Sequence, residues 1–200
     1  MKDKILLAVV TLIICSCQNK DRPIKNNIIK AVIEDTLTKT AAGEAFVNKV
    51  STKDDKVVEM IRKQLLLLLK NDLQAMTTDD RFFYYDAFDL NNDKKEEYFV
   101  GFNNSYFCGS GGCSGYILNN NGTLINAFTV TDFPIFSAPT SSGKFQDLLF
   151  KSNGKFHLMK MKNKKYSSNP SVQEIWKEKI PEGSIKILDF YNRKDKKYSF

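Results

Sequence analysis

The apolar positions of this chain repeat in three different ways. Ile5 to Cys15 is an uncharged, almost wholly apolar run of eleven residues. From Asp54 to Met76 the spacing becomes helical, with Val57, Ile61, Leu65, Leu68, Leu69, Leu73 and Met76 on one stripe and Arg62, Lys63, Lys70 and Asn71 elsewhere on the wheel. Ser51-x-x-Asp54 and Thr52-x-x-Asp55 place acids against the positive end of that helix, in the manner of a capping box. Between these regimes, Ile28 to Val50 has mixed apolar spacing, which predicts short helices interrupted near Gly43. From Phe82 onward the period changes to that of strands. Glu97–Phe102 and Gly115–Leu118 are aromatic and β-branched runs, and Asn121-Gly122 turns the chain into Thr123–Val130. A second such turn, Asn153-Gly154, joins Asp147–Phe150 to Lys155–Met161, and Ser184–Phe190 reads as a last strand. Helices first and hairpins afterwards predict an α+β fold, with N-terminal helices packed on an antiparallel β-sheet of hairpins. The expected single globular domain covers 28–200, helical over 28–76 and β-rich over 82–190.

Composition sharpens this picture by exclusion. At 200 residues, 42% hydrophobic and 26% charged, the chain can build one core, and wholesale disorder is excluded. A single histidine excludes any site that needs two, and four cysteines are too few for a disulfide-dense miniprotein.

The short basic start Met1–Lys4 and the run that follows have the form of a secretory signal, too short to span a bilayer of about 30 Å. The run closes on Ile14-Cys15-Ser16-Cys17. This resembles the bacterial lipobox, in which a small residue precedes a cysteine that is diacylated and left as the new N-terminus. The resemblance implies a signal peptide over 1–16, a lipidated Cys17, and a tether over 17–27 that is polar and contains Pro23. A plain secretory peptide or a short membrane anchor is the alternative. Two acyl chains give stable anchoring where one is marginal. Gln18-Asn19-Lys20-Asp21-Arg22 is similar to the charged tags that send some lipoproteins to the cell surface. The expected location is the bacterial cell envelope, with surface-facing and periplasm-facing placement both open.

Without Lys2, Lys4 and Asp3, the 30 basic and 23 acidic residues become 28 and 22, a net charge of +6. The excess lies largely in Lys160–Lys165 and Arg193–Lys197. Those lysines lack interleaved stacking aromatics, and an exported, tethered protein seldom meets nucleic acid. A solvated basic face is therefore expected, with no nucleic-acid partner.

Two loops carry the candidate chemistry. In Asp89-Leu90-Asn91-Asn92-Asp93-Lys94-Lys95-Glu96-Glu97, oxygen-bearing side chains stand at positions 1, 3, 5 and 9 of a tight turn that leads into a strand. A hard cation such as Ca²⁺ takes about six to eight oxygens, so Asp89, Asn91, Asp93 and Glu97 form a candidate metal set, with a carbonyl near Lys95 and water completing it. The loop resembles the Asp-x-Asp-x-Asp-Gly-x-x-Asp/Glu loops of FG-GAP-type repeats, and differs from an EF-hand because the last acid comes at position 9 and no second helix follows. Position 6, glycine in that pattern, is Lys94. If the position needs φ > 0, a non-glycine residue there costs on the order of 1 kcal/mol. An Asx-rich turn, with the same side chains bonding their own backbone amides, is the equal alternative.

The second loop is Cys108-Gly109-Ser110-Gly111-Gly112-Cys113. In an exported protein, two cysteines this close around flexible glycines predict a disulfide, which stabilises by roughly 2 kcal/mol on loop entropy, less any strain. Redox, dinucleotide, nucleophile-elbow and zinc readings each fail on spacing or ligand number. Together the two loops resemble those of uncharacterised bacterial lipoproteins and periplasmic proteins over roughly residues 82–165. The resemblance implies an exported domain with a Ca²⁺-type loop, a disulfide and no established enzyme activity.

His157, in an expected strand, lacks an evident nucleophile and orienting acid, and reads as a structural histidine. Asp79, Asp80 and Asp86 read as helix or loop termination and extra negative charge for a cation, a carboxylate pair with the loop acids being the alternative, and Trp176 reads as an aromatic that docks the C-terminal segment. The expectation is a non-enzymatic envelope lipoprotein with a binding or structural role, whose Asp89–Glu97 and Cys108–Cys113 loops rigidify one end of the sheet. An inhibitor of lysozyme-like or toxin proteins and a Ca²⁺-dependent envelope hydrolase are the alternatives. If Cys17 is the anchor, Cys17→Ser in the full chain moves it from the membrane to the soluble fraction and abolishes labelling with a palmitate analogue. Unchanged fractionation and labelling would exclude the anchor.

Overall fold

A computed structural model describes residues 53–190 and 196–200. The signal segment, Cys17, the tether, the stretch 28–50 and the capping residues Ser51 and Thr52 lie outside the described residues. The described residues form one compact unit. Among the described residues there is one α-helix and a nine-stranded, wholly antiparallel sheet, and no helix is long and apolar enough to cross a membrane.

Helix α1 covers Lys53–Leu68, with Asp54 and Asp55 in its first turn. Its stripe is Val57, Val58, Ile61 and Leu65, the last two fully buried. The expected continuation to Met76 is corrected. The chain leaves the helix after Leu68 through successive turns, Asp72 N donating to the Leu69 carbonyl at 2.8 Å and Ala75 N to that of Asp72 at 2.9 Å. Arg81 Nη2 caps the last of these by donating to the Leu73 carbonyl at 2.6 Å. Leu69 and Met76 still reach the core from the turns, which is why their spacing reads as helix.

The strands are β1 (Phe82–Phe88), β2 (Glu97–Gly101), β3 (Cys108–Gly109), β4 (Gly112–Leu118), β5 (Leu124–Ser142), β6 (Phe145–Ser152), β7 (Lys155–Met159), β8 (Lys186–Ile187) and β9 (Tyr198–Ser199). They lie in the order β7-β6-β5-β4-β2-β1-β9, with β3 on β4 and β8 on β5. This is a meander of hairpins, and Asn121-Gly122 and Asn153-Gly154 make two of its turns, Gly122 and Gly154 both at positive φ.

Every residue of β2 is buried. Tyr98, Val100 and Phe102 face one way and join Phe83, Leu118 and the α1 stripe. Phe99 faces the other way and joins Ile117, Phe128, Ile135, Leu148, Phe150 and Met159. The helix therefore covers one face of β1-β2-β4, and the second half of the sheet covers the other.

The 19-residue strand β5 makes that possible by serving both halves, where only 123–130 reads as strand in the sequence. Its first part pairs with β4, and its second with β6 and β8. Val130 takes φ 48° where the β4 register shifts between Cys113 and Gly115, and that bulge bends the strand. Across from it, the Phe128 ring lies so close to Gly115 that a Cβ there would stand 2.4 Å from the ring. Pro134, a strand breaker by its missing N–H, sits in the interval where the β6 ladder is interrupted between Asp132 and Phe136.

The expected last strand over 184–190 is reduced to Lys186–Ile187. Leu188 turns to φ 58°, and its amide donates to Asp86 Oδ2 at 2.6 Å. The C-terminus adds β9 alongside β1, and Tyr198 donates to Asp54 Oδ2 at 3.2 Å. Tyr85 donates to the other oxygen of that carboxylate, so Asp54 ties the first turn of α1 to two strands.

The five-leucine run tests this packing directly, because Leu65 is 0% exposed and Leu67 is 66% exposed. Leu65→Ala is expected to cost about 2–5 kcal/mol in urea unfolding. Leu67→Ala should stay within about 0.5 kcal/mol of wild type. Equal losses at the two positions would contradict the helix orientation.

Candidate functional site

The aspartate loop connects β1 to β2 and closes on the pair Phe88 and Glu97. Leu90, 1% exposed, plugs into the second core cluster, and its carbonyl accepts from Gln146 N at 2.7 Å. The loop is thus fastened to β6 as well as to its own strands. Asp89 Oδ1 accepts from the amides of Asn91 and Asp93, both at 3.2 Å, and Oδ2 from that of Lys94 at 2.8 Å. Asn91 Oδ1 accepts from Asp93 N at 2.9 Å, and Asp93 Oδ1 from Lys95 N at 2.8 Å. Each side chain at positions 1, 3 and 5 therefore satisfies amides of the turn that follows it.

Glu97 is only 4% exposed. Its Oε2 accepts from Leu90 N at 2.8 Å, and Oε1 from Asn91 Nδ2 at 3.4 Å. Burial pushes its carboxyl above the usual range against the pull of the Leu90 amide, and repulsion from Asp93 and Asp89 adds to the rise. Among the described residues it makes no ion pair, and Lys53 pairs instead with the neighbouring Glu96 at 2.9 Å. Donor chemistry at the loop suits a hard cation, four oxygen-bearing side chains around one turn. Among the described residues, however, no three His, Cys, Asp or Glu side chains are grouped to hold a metal ion.

The backbone meets the condition that Lys94 poses. Lys94 stands at φ 67° and Asn92 at φ 58°, so position 6 does take the conformation that glycine accommodates most easily. The structure also brings in residues that no sequence pattern marks. Tyr166 is buried and donates to the Gln146 carbonyl at 2.6 Å, bracing the strand end to which Leu90 is tied. Its phenol is held well above the ordinary value, by burial first and by Asp147 and Glu97 next. An isolated tyrosine after a lysine-rich run has no periodicity to reveal it.

Cys108 and Cys113 form a disulfide across the β3–β4 hairpin, as directly opposed partners with Cα atoms 3.9 Å apart. Asn104 shapes the approach, its Oδ1 accepting from Tyr106 N and Phe107 N at 3.1 and 3.2 Å. Phe107 stacks on Phe102 at 3.6 Å between centroids. Gly112 has φ 114°, and a Cβ there would lie 2.6 Å from Thr131 N, so both conformation and space call for glycine.

The expectation that the two loops stiffen one end of the sheet is corrected. Tyr98 pairs with Leu118 and Gly101 with Gly115, so β2 and β4 run from the aspartate loop at one end to the cysteine hairpin at the other. One strand length separates them, because 102–112 connects the far ends of two antiparallel neighbours. His157 is 4% exposed on β7, its Nδ1 3.0 Å from the Gln173 carbonyl. Trp176 packs with Phe136, Phe156 and Leu149, and its amide donates to the Phe156 carbonyl at 2.8 Å. Asp80 Oδ2 accepts from Thr77 N at 2.9 Å in a 3-10 turn, and Asp86 receives the Leu188 amide described above.

No family model, curated protein or solved structure matches the chain.

The loop conformation can be probed at adjacent lysines. Lys94→Gly relieves a left-handed residue and is expected to hold or raise stability, by up to about 1 kcal/mol. Lys95→Gly, at a residue without that conformation, should lower it by about 0.5–1 kcal/mol. Chemical unfolding of the two variants checks the difference, and equal losses would contradict the φ assignment.

Proposed function

We propose that this chain is a lipid-anchored, non-enzymatic protein of the bacterial cell envelope, a binding module whose aspartate loop takes up Ca²⁺ as a stabilising ion. The anchor would be Cys17 and the ligands Asp89, Asn91, Asp93 and Glu97. The observation that carries the calcium part is the buried Glu97 carboxylate, flanked by Asp89 and Asp93 and without an ion pair among the described residues. Buried charge is costly unless it is countered, and a dication at the loop would counter three carboxylates at once. The ion's role would be structural: it would pin the β1–β2 turn that Leu90 anchors to the core. The binding part rests on the architecture, a rigid two-sided sheet that presents loops at both ends.

A second reading of the loop has its own support. The amides of Leu90, Asn91, Asp93, Lys94 and Lys95 already occupy its carboxylate and amide oxygens, as a self-closing Asx turn requires. In that case the loop needs no ion.

A thermal melt of the full chain under non-reducing conditions separates the two, titrated with Ca²⁺ against chelator for wild type and Asp93→Asn. The amide oxygen of the variant can still accept from Lys95 N, but the charge is gone. Binding predicts stabilisation of about 1.4 kcal/mol at ten times Kd and about 2.7 kcal/mol at a hundred times Kd, a rise of several degrees in wild type and little in the variant. No shift at several millimolar Ca²⁺ would leave the self-closing turn standing and remove calcium from the proposal.

A further inference from the structure

The disulfide end of the sheet holds a cleft of about 490 Å³, lined by Phe102, Asn103, Cys113, Asp132, Phe133, Lys151 and Phe190. That is the size of pocket that encloses a small organic molecule. Its walls are aromatic. Phe133 is 8% exposed and Phe190 half-buried, and their rings meet edge to face at 4.7 Å. Gly101 permits that closure: a Cβ there would stand 2.8 Å from Leu188 Cδ1, 3.0 Å from the Phe190 ring and 3.1 Å from that of Phe133.

Two charges of opposite sign enter this apolar setting. Asp132 on β5 and Lys151 on β6 are direct register partners, so both side chains leave the sheet on the same face. Both are half-buried. Cross-strand acid–base partners ordinarily pair, yet the ion pairs within 4 Å among the described residues involve neither of them, and neither side chain makes a hydrogen bond there. An acid and a base that stand unpaired at the mouth of an aromatic cleft are complementary to a ligand carrying both charges. A plain anion would leave Asp132 without a partner, and a plain cation would leave Lys151 without one.

From this geometry we infer that the cleft is a binding site for a free α-amino acid with an apolar or aromatic side chain. The ammonium group goes to the Asp132 carboxylate, the carboxylate to Lys151 Nζ, and the side chain against Phe133 and Phe190. The disulfide then has a function beyond stability, since Cys113 forms part of the wall. The inference uses no residue of the aspartate loop and does not depend on the lipid anchor, so the failure of either reading leaves the other intact.

Isothermal titration of the full chain with L-phenylalanine and L-leucine, set against N-acetyl-L-phenylalaninamide, is the test. Binding of the free amino acids with a Kd at or below about 1 mM is expected, with the doubly capped analogue at least about tenfold weaker. Asp132→Asn and Lys151→Met should each weaken binding of the free amino acid at least about tenfold while circular dichroism stays unchanged. No heat from either amino acid up to about 10 mM, or equal affinity for the capped analogue, overturns the assignment. So does wild-type affinity in both variants. If a variant does not fold, the comparison of free and capped ligand on the wild-type chain decides alone.

Discussion

Strand β2 is five residues long, and water reaches neither of its faces. A strand in that position sets two demands at once, because alternate side chains point in opposite directions and both directions are apolar or aromatic. On one side Tyr98, Val100 and Phe102 require a cover, and the stripe of α1 supplies it. On the other, Phe99 requires a second cover, and no other helix among the described residues provides one. The sheet has to supply it from its own continuation. The bent, double-serving β5, the close approach of Phe128 to Gly115 and the left-handed Val130 all follow from this need.

The same arrangement organises the polar chemistry. Because β2 and β4 are antiparallel neighbours, the turn that precedes β2 and the hairpin that precedes β4 must lie a strand length apart. The acidic loop is therefore a feature of one end, fastened by Leu90 and braced by Gln146 and Tyr166. The disulfide belongs to the other, where Cys113 pairs with Thr131 in the bent part of β5. Charge is handled differently at the two ends. At the first, backbone amides absorb the acids, the buried Glu97 included. At the second, Asp132 and Lys151 remain apart across a cleft with aromatic walls.

Much of the described fold was legible in the sequence, for reasons that can be named. The α1 stripe, the strand runs of β2 and β4, and the hairpins at Asn121-Gly122 and Asn153-Gly154 depend on spacings of two to four residues and on turn chemistry contained within them. The disulfide was legible for a similar reason, since its cysteines are close in the chain and flanked by glycines. Lys94 posed a conditional question that the backbone answered. The misreadings came where local pattern and packing part company. Leu69 and Met76 keep a helical spacing while standing in turns, and Pro134 hides a strand that tolerates it only at an interruption of the ladder.

The amino-acid sequence by itself determined the α1 stripe, the strand character of β2 and β4, two hairpin turns and the oxygen-rich composition of the aspartate loop. Each is a matter of neighbours a few bonds apart, where steric and hydrogen-bonding preferences act without help from the rest of the chain. Tertiary structure alone decided the rest. It paired β9 with β1, set the Leu188 amide on Asp86 and the Tyr198 hydroxyl on Asp54, separated the two loops, and gathered Phe102, Asp132, Lys151 and Phe190 around one cleft. These contacts join residues tens to more than a hundred positions apart, and only the burial of a strand on both faces brings them together.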